Sequence, residues 1–303
     1  MRRVWLAAIF LTALTAASPA PENVNRIPAK TLFSRVAVPS QAEAQSIGGY
    51  AVGCLAGAQA LPLTDPDNAK TPAWQVMRPS RNRNWGNPVM IGFLEDFARQ
   101  ARKAGDWPGL LVGDIAQPRG GPMSSGHASH QIGLDADIWL TPAPARALSR
   151  KERETREAVS VVKDHYSINP KVWTDAHARL IARAAKSPQV ARIFVHPPIK
   201  KALCDWSRGD ADRRWLAKVR PYYGHDAHFH IRLNCPKGNS ACKAQKPPSP
   251  ADGTGCGLEL KTWLSPAFWA RHQPPAPGKP VKPGKQMMLS ALPAACRAVL
   301  NSP

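Results

Sequence analysis

The stretch GGPMSSGHASHQIGLDADIWL, residues 120–140, decides how this chain folds, together with a second stretch, GHDAHFHIRL, residues 224–233. The two stretches hold five of the nine histidines in the 303-residue chain, and three aspartates. Such a density of imidazole and carboxylate groups predicts a metal site. The residues concerned are His127, His130, His225, His228, His230, Asp135, Asp137 and Asp226.

Each stretch also contains apolar residues typical of a β-strand, at 138–140 and at 229, 231 and 233. Alternate residues of an extended strand lie on the same face, about 6.6–7 Å apart. His228 and His230 therefore share a face, and so do Asp135 and Asp137. Because neutral imidazole and carboxylate suit zinc, we expect a zinc-type site carried by two strands.

The wider pattern predicts an α+β fold: a single domain in which a small, mostly antiparallel sheet carries the zinc site, flanked by helices and disulfide-tied loops. Strands are expected at 110–115, 133–140 and 190–195, where apolar residues cluster. The mixed order of strands and helices excludes a regular βαβ alternation. Helices are expected at 88–104, 149–162, 174–186, 199–206 and 213–219.

SHQIGLDAD (129–137) and GHDAHFHIRL (224–233) resemble the H-x6-D and H-x-H motifs of zinc peptidases related to lysostaphin, D-alanyl-D-alanine peptidases and the sonic hedgehog fold. Within that group the chain is most similar to the penicillin-insensitive murein endopeptidases. The similarity covers roughly residues 45–300 and includes segments 46–62, 75–88, 190–204 and 213–236.

The resemblance implies that His130, Asp137 and His230 bind one zinc ion and leave a position for water. His228 would be the general base, and His225 would stabilise the oxyanion or orient water. The sequence leaves the roles of His225 and His228 exchangeable. Asp135 has two equal interpretations, orienting a ligand histidine or making a plain loop contact.

A second metal site is implied only in part. In the resembling family, the histidine equivalent to His127 can join a further metal ion with an aspartate and a histidine. Asp164 fits the aspartate, but Ser167 stands at the expected histidine position. A second zinc ion is therefore not expected unless His165 substitutes.

The six cysteines form an even set, which predicts three disulfides in an exported protein. Cys235 and Cys242 bracket a short loop and should pair with each other. For the remaining four, the resemblance implies the pairs Cys54–Cys296 and Cys204–Cys256.

The N-terminal region has the pattern of a secretory signal peptide: Arg2 and Arg3, an apolar run, then small residues. We assign residues 1–17 to the signal peptide and 18–44 to an extended lead segment. Residues 45–270 form the zinc peptidase domain, and 271–303 a proline-rich linker with a C-terminal tail docked by a disulfide. A periplasmic protein without an integral membrane segment in its mature part is expected.

The charge of the chain indicates an anionic partner, because 41 Lys and Arg face 21 Asp and Glu, a net charge of +20. The basic residues are dispersed and no nucleic-acid-binding motif occurs, so nucleic acid is excluded. Peptidoglycan, whose peptides carry carboxylates, fits better. The oligomeric state is not predicted.

The resemblance implies a zinc endopeptidase that hydrolyses D-alanyl–meso-diaminopimelyl crosslinks in peptidoglycan and is insensitive to β-lactams. Two alternatives stay open: a D-alanyl-D-alanine carboxypeptidase of the same fold, and a noncatalytic zinc-containing wall-binding module. Ser160 and Lys163 match S-x-x-K of serine acyl transferases, but no K-T-G follows, so both are interpreted as helix residues.

Overall fold

A computed structural model describes residues 26–272 and 286–302. The predicted signal peptide and the proline-rich run at 274–280 lie outside the described residues. None of the helices within the described ranges is long and apolar enough to cross a bilayer.

The central element is a six-stranded mixed sheet. Its strands, in spatial order, are β11 (Val219–Pro221), β10 (Val190–Val195), β12 (His228–Leu233), β7 (Asp135–Trp139), β6 (Leu110–Val112) and β4 (Trp74–Val76). The three inner pairings, β10·β12, β12·β7 and β7·β6, are antiparallel, and the two outer pairings are parallel. The α+β fold is confirmed, and the predicted site lies on the inner antiparallel strands.

Three two-stranded sheets lie outside the central sheet, each of them antiparallel. Their strands are β1 Gln45–Gly49 with β2 Val52–Ala56, β3 Gln59–Ala60 with β5 Trp85–Gly86, and β8 Val162–Asp164 with β9 Ser167–Ile168.

The described residues form eight α-helices. The longest begins where the Asn87 side chain accepts a hydrogen bond from the Val89 N–H and Pro88 occupies the first turn, a favourable N-terminus. The helices are α1 Ala29–Ser34, α2 Pro88–Lys103, α3 Arg150–Thr155, α4 Asp175–Lys186, α5 Pro197–Trp206, α6 Leu258–Trp263, α7 Pro266–His272 and α8 Ala295–Asn301.

The main core lies between the central sheet and helices α2, α4 and α5. Helix α2 contributes Ile91, Leu94 and Phe97 at helical spacing, and β12 contributes Phe229 and Ile231 from the face opposite its histidines. Packing on this face fixes the strand register, because a shift of one residue would bury the histidines and expose the apolar side chains.

The lead segment differs from the prediction of an extended chain, because α1 forms within it. Phe33 is fully buried in a second cluster with Leu289 and Cys296 from the C-terminal tail. Helix α1 is too short to show a clear period, and long-range packing against the tail stabilises it.

The predicted helix at 149–162 is also wrong beyond α3. The capping box of Ser149 and Glu152 starts the helix, but the chain then becomes extended and enters β8. Val161 is buried, and its N–H donates to the Asp226 carbonyl, so tertiary contacts replace helical hydrogen bonds. Ser160 therefore precedes a strand that contains Lys163, and neither residue is helical.

Candidate metal centre

The register between β7 and β12 assembles the polar face of the site. His230 is paired with Asp137, and Arg232 with Asp135. The side chains between these pairs, Ala136 and Ile231, are buried in the core on the other face. Polar and apolar residues alternate along both strands, and this alternation places the polar side chains together on one face of the sheet.

His130 reaches the same point from the loop before β7. Its backbone has φ +66°, a left-handed conformation that is uncommon for residues other than glycine. Its N–H donates to Asp135 Oδ2 at 3.0 Å, and this contact holds the strained turn. Gly133 has φ +68°, and a Cβ there would lie 2.7 Å from the Asn87 backbone nitrogen, so only glycine fits.

Three donor atoms from His130, Asp137 and His230 form a small triangle. His130 Nε2 lies 3.1 Å from His230 Nδ1, and each lies 3.4 Å from Asp137 Oδ1. For a tetrahedral ion about 2.0 Å from each ligand, two ligand atoms are about 3.3 Å apart. The triangle therefore has the dimensions of one face of a tetrahedral metal site.

The hydrogen bonds on the far side of each ring show which nitrogens are free to bind a cation. His130 Nδ1 lies 2.7 Å from the Ile115 carbonyl, which can only accept, so this nitrogen carries the proton. His230 Nε2 lies 2.8 Å from Asp135 Oδ1 and carries its proton likewise. The lone pairs of His130 Nε2 and His230 Nδ1 consequently face each other, an arrangement that a cation between them would stabilise.

Asp137 supplies the third lone pair. Its Oδ1 is buried and makes no hydrogen bond with the described residues, which is costly for a carboxylate oxygen unless a cation binds it. Burial would raise the pKa of Asp137, but His228 and His130 outweigh burial and hold that pKa well below its usual range. The carboxylate is therefore ionised, as a metal ligand must be.

Asp135 lies behind the triangle and holds its two histidines by hydrogen bonds. Besides its hydrogen bonds with His130 and His230, Asp135 accepts a hydrogen bond from Arg232 Nε at 2.7 Å. The Arg232 guanidinium is 4.2 Å from the ring centroid of Tyr50 and 5.1 Å from that of Phe194. Of the two interpretations of Asp135, the contacts favour the orientation of ligand histidines.

His127 lies at the edge of the triangle. His127, His130 and Asp137 each offer a ligand atom within 4.8 Å of the others. His127 Nδ1 is 3.6 Å from Asp137 Oδ2, and its Nε2 is 2.9 Å from Asp114 Oδ2. Asp114 was missed in the sequence, where its only signal is a carboxylate two residues after the buried strand β6.

Asp164 and His165 have other contacts. Asp164 lies at the end of β8, is exposed, and accepts a hydrogen bond from the Tyr166 N–H at 2.9 Å. The His165 ring stacks on Trp269, with ring centroids 3.3 Å apart. Within the described part of the chain, the group of mutually close metal donors includes His127 but not Asp164.

His225 and His228 lie beside the triangle, with ring centroids 5.0 Å apart. His228 Nε2 is 3.7 Å from Asp137 Oδ1, and its side chain is 25% exposed, so solvent and substrate can reach it. His225 Nδ1 lies 3.1 Å from the Tyr223 carbonyl, which makes this nitrogen the donor. Burial, reinforced by His230 and His228, lowers the pKa of His225 to about 3.

Two cavities adjoin the donors. The larger, about 380 Å³, is lined by Phe194, Tyr222 and Tyr223 as well as by the site histidines. The smaller, about 240 Å³, is lined by two arginines, Arg78 and Arg81, and by two aspartates, Asp114 and Asp137. Because His127 and His228 line both cavities, an extended ligand could cross the metal centre from one cavity to the other.

The three disulfides join Cys54 with Cys296, Cys204 with Cys256, and Cys235 with Cys242. The third pair was predicted from the short loop between its cysteines, and the other two are the pairs that the resemblance implied. The first links β2 to α8 and so attaches the C-terminal tail to the rest of the domain.

An α+β domain with imidazole and carboxylate donors converging on an inner strand pair defines a candidate metal-dependent enzyme. Residues 46–301 match the family model described as penicillin-insensitive murein endopeptidase, a peptidase family. The chain belongs to this family.

Relatives with the same name, "Penicillin-insensitive murein endopeptidase", are similar over nearly their whole length. The Haemophilus influenzae protein is 43% identical over 267 residues, 88% of this chain and 86% of the relative. The Yersinia enterocolitica protein is 40% identical over 298 residues, 98% of this chain and 97% of the relative. The Klebsiella pneumoniae protein is 38% identical over 273 residues, 90% of this chain and 92% of the relative.

Proposed function

We propose that this protein is a periplasmic, zinc-dependent endopeptidase that hydrolyses D-alanyl–meso-diaminopimelyl crosslinks in peptidoglycan. The observation that carries the proposal is the triangle of His130 Nε2, Asp137 Oδ1 and His230 Nδ1. Two imidazoles and one carboxylate are a common ligand set of hydrolytic zinc sites, which keep a fourth position open.

Zinc held by these three residues would polarise the amide carbonyl and lower the pKa of a water molecule that attacks it. His228 takes the proton from this water, because its ring is next to Asp137 and opens into both cavities. It then donates the proton to the leaving amine.

His225 orients the attacking water. Since its Nδ1 donates to the Tyr223 carbonyl, the neutral ring offers Nε2 only as an acceptor. The low pKa of His225 keeps its ring neutral at physiological pH. A neutral ring is better suited to accept a hydrogen bond from water than to donate one to the oxyanion. One zinc ion is proposed, because Asp164, the aspartate expected for a second metal position, is not among the close donors in the described part of the chain.

The substrate assignment rests on the family and on charge. The named relatives are murein endopeptidases, and murein peptides are rich in carboxylates, which suits a chain of net charge +20. The signal-peptide pattern at 1–17 supports export to the periplasm, where this polymer lies.

The test is digestion of purified crosslinked muropeptide dimers, with the products followed by mass spectrometry. We expect dimers to become monomers that keep their fourth-position alanine, both with and without penicillin. Release of free alanine from intact dimers would indicate the carboxypeptidase instead. Binding without any cleavage would indicate a wall-binding module.

A further inference from the structure

The smaller cavity beside the proposed metal centre is lined by two arginines and two aspartates, one of which is Asp114. Arg78 and Arg81 line it, and Asp137 and His228 line the same cavity. A group bound to these arginines would therefore be next to the metal ligand and to the proposed base.

Ion pairs neutralise the two arginines only in part. Arg81 Nη1 lies 3.4 Å from Asp114 Oδ2, but Asp114 already binds Arg83 at 2.8 Å and His127 at 2.9 Å. Arg78 takes part in no ion pair among the described residues, and its guanidinium lies 5.8 Å from the Trp139 ring centroid. The cavity can therefore accept a further anion.

The two arginines belong to a turn that is bounded by residues of unusual backbone conformation. Arg78 and Asn82 have φ of 56° and 52° and flank the short 3-10 turn Pro79–Arg81. Left-handed residues other than glycine cost free energy and persist where the surroundings hold them. Ser80 donates to Glu154 through its N–H and its hydroxyl, at 2.7 and 2.8 Å, so the turn is anchored.

We propose that Arg78 and Arg81 bind the free carboxylate on the carbon that carries the leaving amine. The inference rests on the proposed function. In the D-alanyl–meso-diaminopimelyl crosslink, the linked amine and a carboxylate are on the same carbon, so this carboxylate must lie close to the scissile amide. Planar guanidinium groups bind carboxylates with two parallel hydrogen bonds, which gives orientation as well as affinity.

The experiment compares two crosslinked dimers that differ only at this carboxyl group, which is free in one and a carboxamide in the other. Because a hydrogen bond to a charged group is stronger than a neutral one, we expect wild-type kcat/KM to be about 10- to 100-fold higher for the free carboxylate. The Arg78→Gln/Arg81→Gln double variant should lose most of this preference. Its kcat/KM should fall much further for the free-carboxylate dimer than for the carboxamide dimer.

Arg150→Gln, an exposed change on α3, is the matched control and should keep the preference. Arg78→Lys retains the positive charge but lacks the planar guanidinium group, so it should give an intermediate preference. The zinc content of each variant shows that it is folded. Equal cleavage of both dimers by the wild type would overturn the inference alone. Cleavage of neither dimer would overturn the proposed function and the inference with it.

Discussion

His230 Nε2 lies 2.8 Å from Asp135 Oδ1, and this hydrogen bond directs the opposite nitrogen of the ring towards His130 and Asp137 at the proposed metal centre. The same carboxylate binds the His130 backbone and Arg232. One buried side chain thus orients two of the three proposed ligands.

The Asp135→Asn variant should bind zinc about 10- to 100-fold more weakly, the usual cost of losing such a supporting group. Activity at saturating zinc should be affected much less than affinity. Zinc titration of the metal-free variant, followed by dimer cleavage, measures both quantities. Asp96→Asn, an exposed change on α2, is the control, and an Asp135→Asn affinity equal to that of the control would contradict this role.

Removal of the proposed base should affect the chemical step and not metal binding. We expect His228→Ala to lower kcat about 10²- to 10⁴-fold, the usual contribution of general acid–base catalysis, with one zinc ion retained. His225→Ala should lower kcat less, because His225 only orients water. The reverse ranking would show that the two histidines exchange roles.

His196 should make the fold sensitive to acid. Burial lowers its pKa from 6.5 to about 4, so between these values the unfolded chain binds more protons than the folded chain. The free energy of unfolding therefore falls as pH decreases from 6.5 towards 4, by at most about 1.4 kcal/mol per pH unit.

The His196→Asn variant keeps a residue suited to the start of α5 and removes this titration. Thermal unfolding of the metal-loaded protein between pH 7 and pH 5 should show a smaller decrease in Tm for this variant than for the wild type. His272→Asn, at an exposed position, should follow the wild type. Parallel curves for wild type and His196→Asn would contradict the prediction.

The disulfide between Cys54 and Cys296 spans 242 residues, and that between Cys235 and Cys242 spans seven. From the entropy of loop closure, the first disulfide should raise the free energy of unfolding by about 5 kcal/mol and the second by about 2 kcal/mol. Urea unfolding of the Cys54→Ala/Cys296→Ala variant should therefore show the larger loss. Limited proteolysis should also release the C-terminal tail from this variant and not from Cys235→Ala/Cys242→Ala. Equal losses would mean that α8 docks through packing alone.

The sequence predicts the part of the site that depends on strand alternation. His228, His230, Asp135 and Asp137 share a face because each pair is two residues apart, and their apolar neighbours specify the burial of the other face. Their convergence with His130 could be inferred only through the family resemblance, since it depends on a left-handed turn that local patterns do not reveal.

The features that were missed or wrong depend on long-range contacts. Asp114 and the turn with Arg78 and Arg81 come to the site from strands and loops that show no motif of their own. Helix α1 exists because Phe33 packs against a tail more than 250 residues away. The chain after α3 becomes extended because Val161 pairs with the loop at Asp226.

The most direct test of the central claim is a zinc titration of chelator-treated protein while dimer cleavage is followed by mass spectrometry. If His130, Asp137 and His230 form a single catalytic zinc site, the metal-free protein should be inactive, and activity should return and reach its maximum at one zinc ion per chain. His130→Ala should neither bind this zinc ion nor recover. Full cleavage by the metal-free protein, or by His130→Ala, would contradict the account.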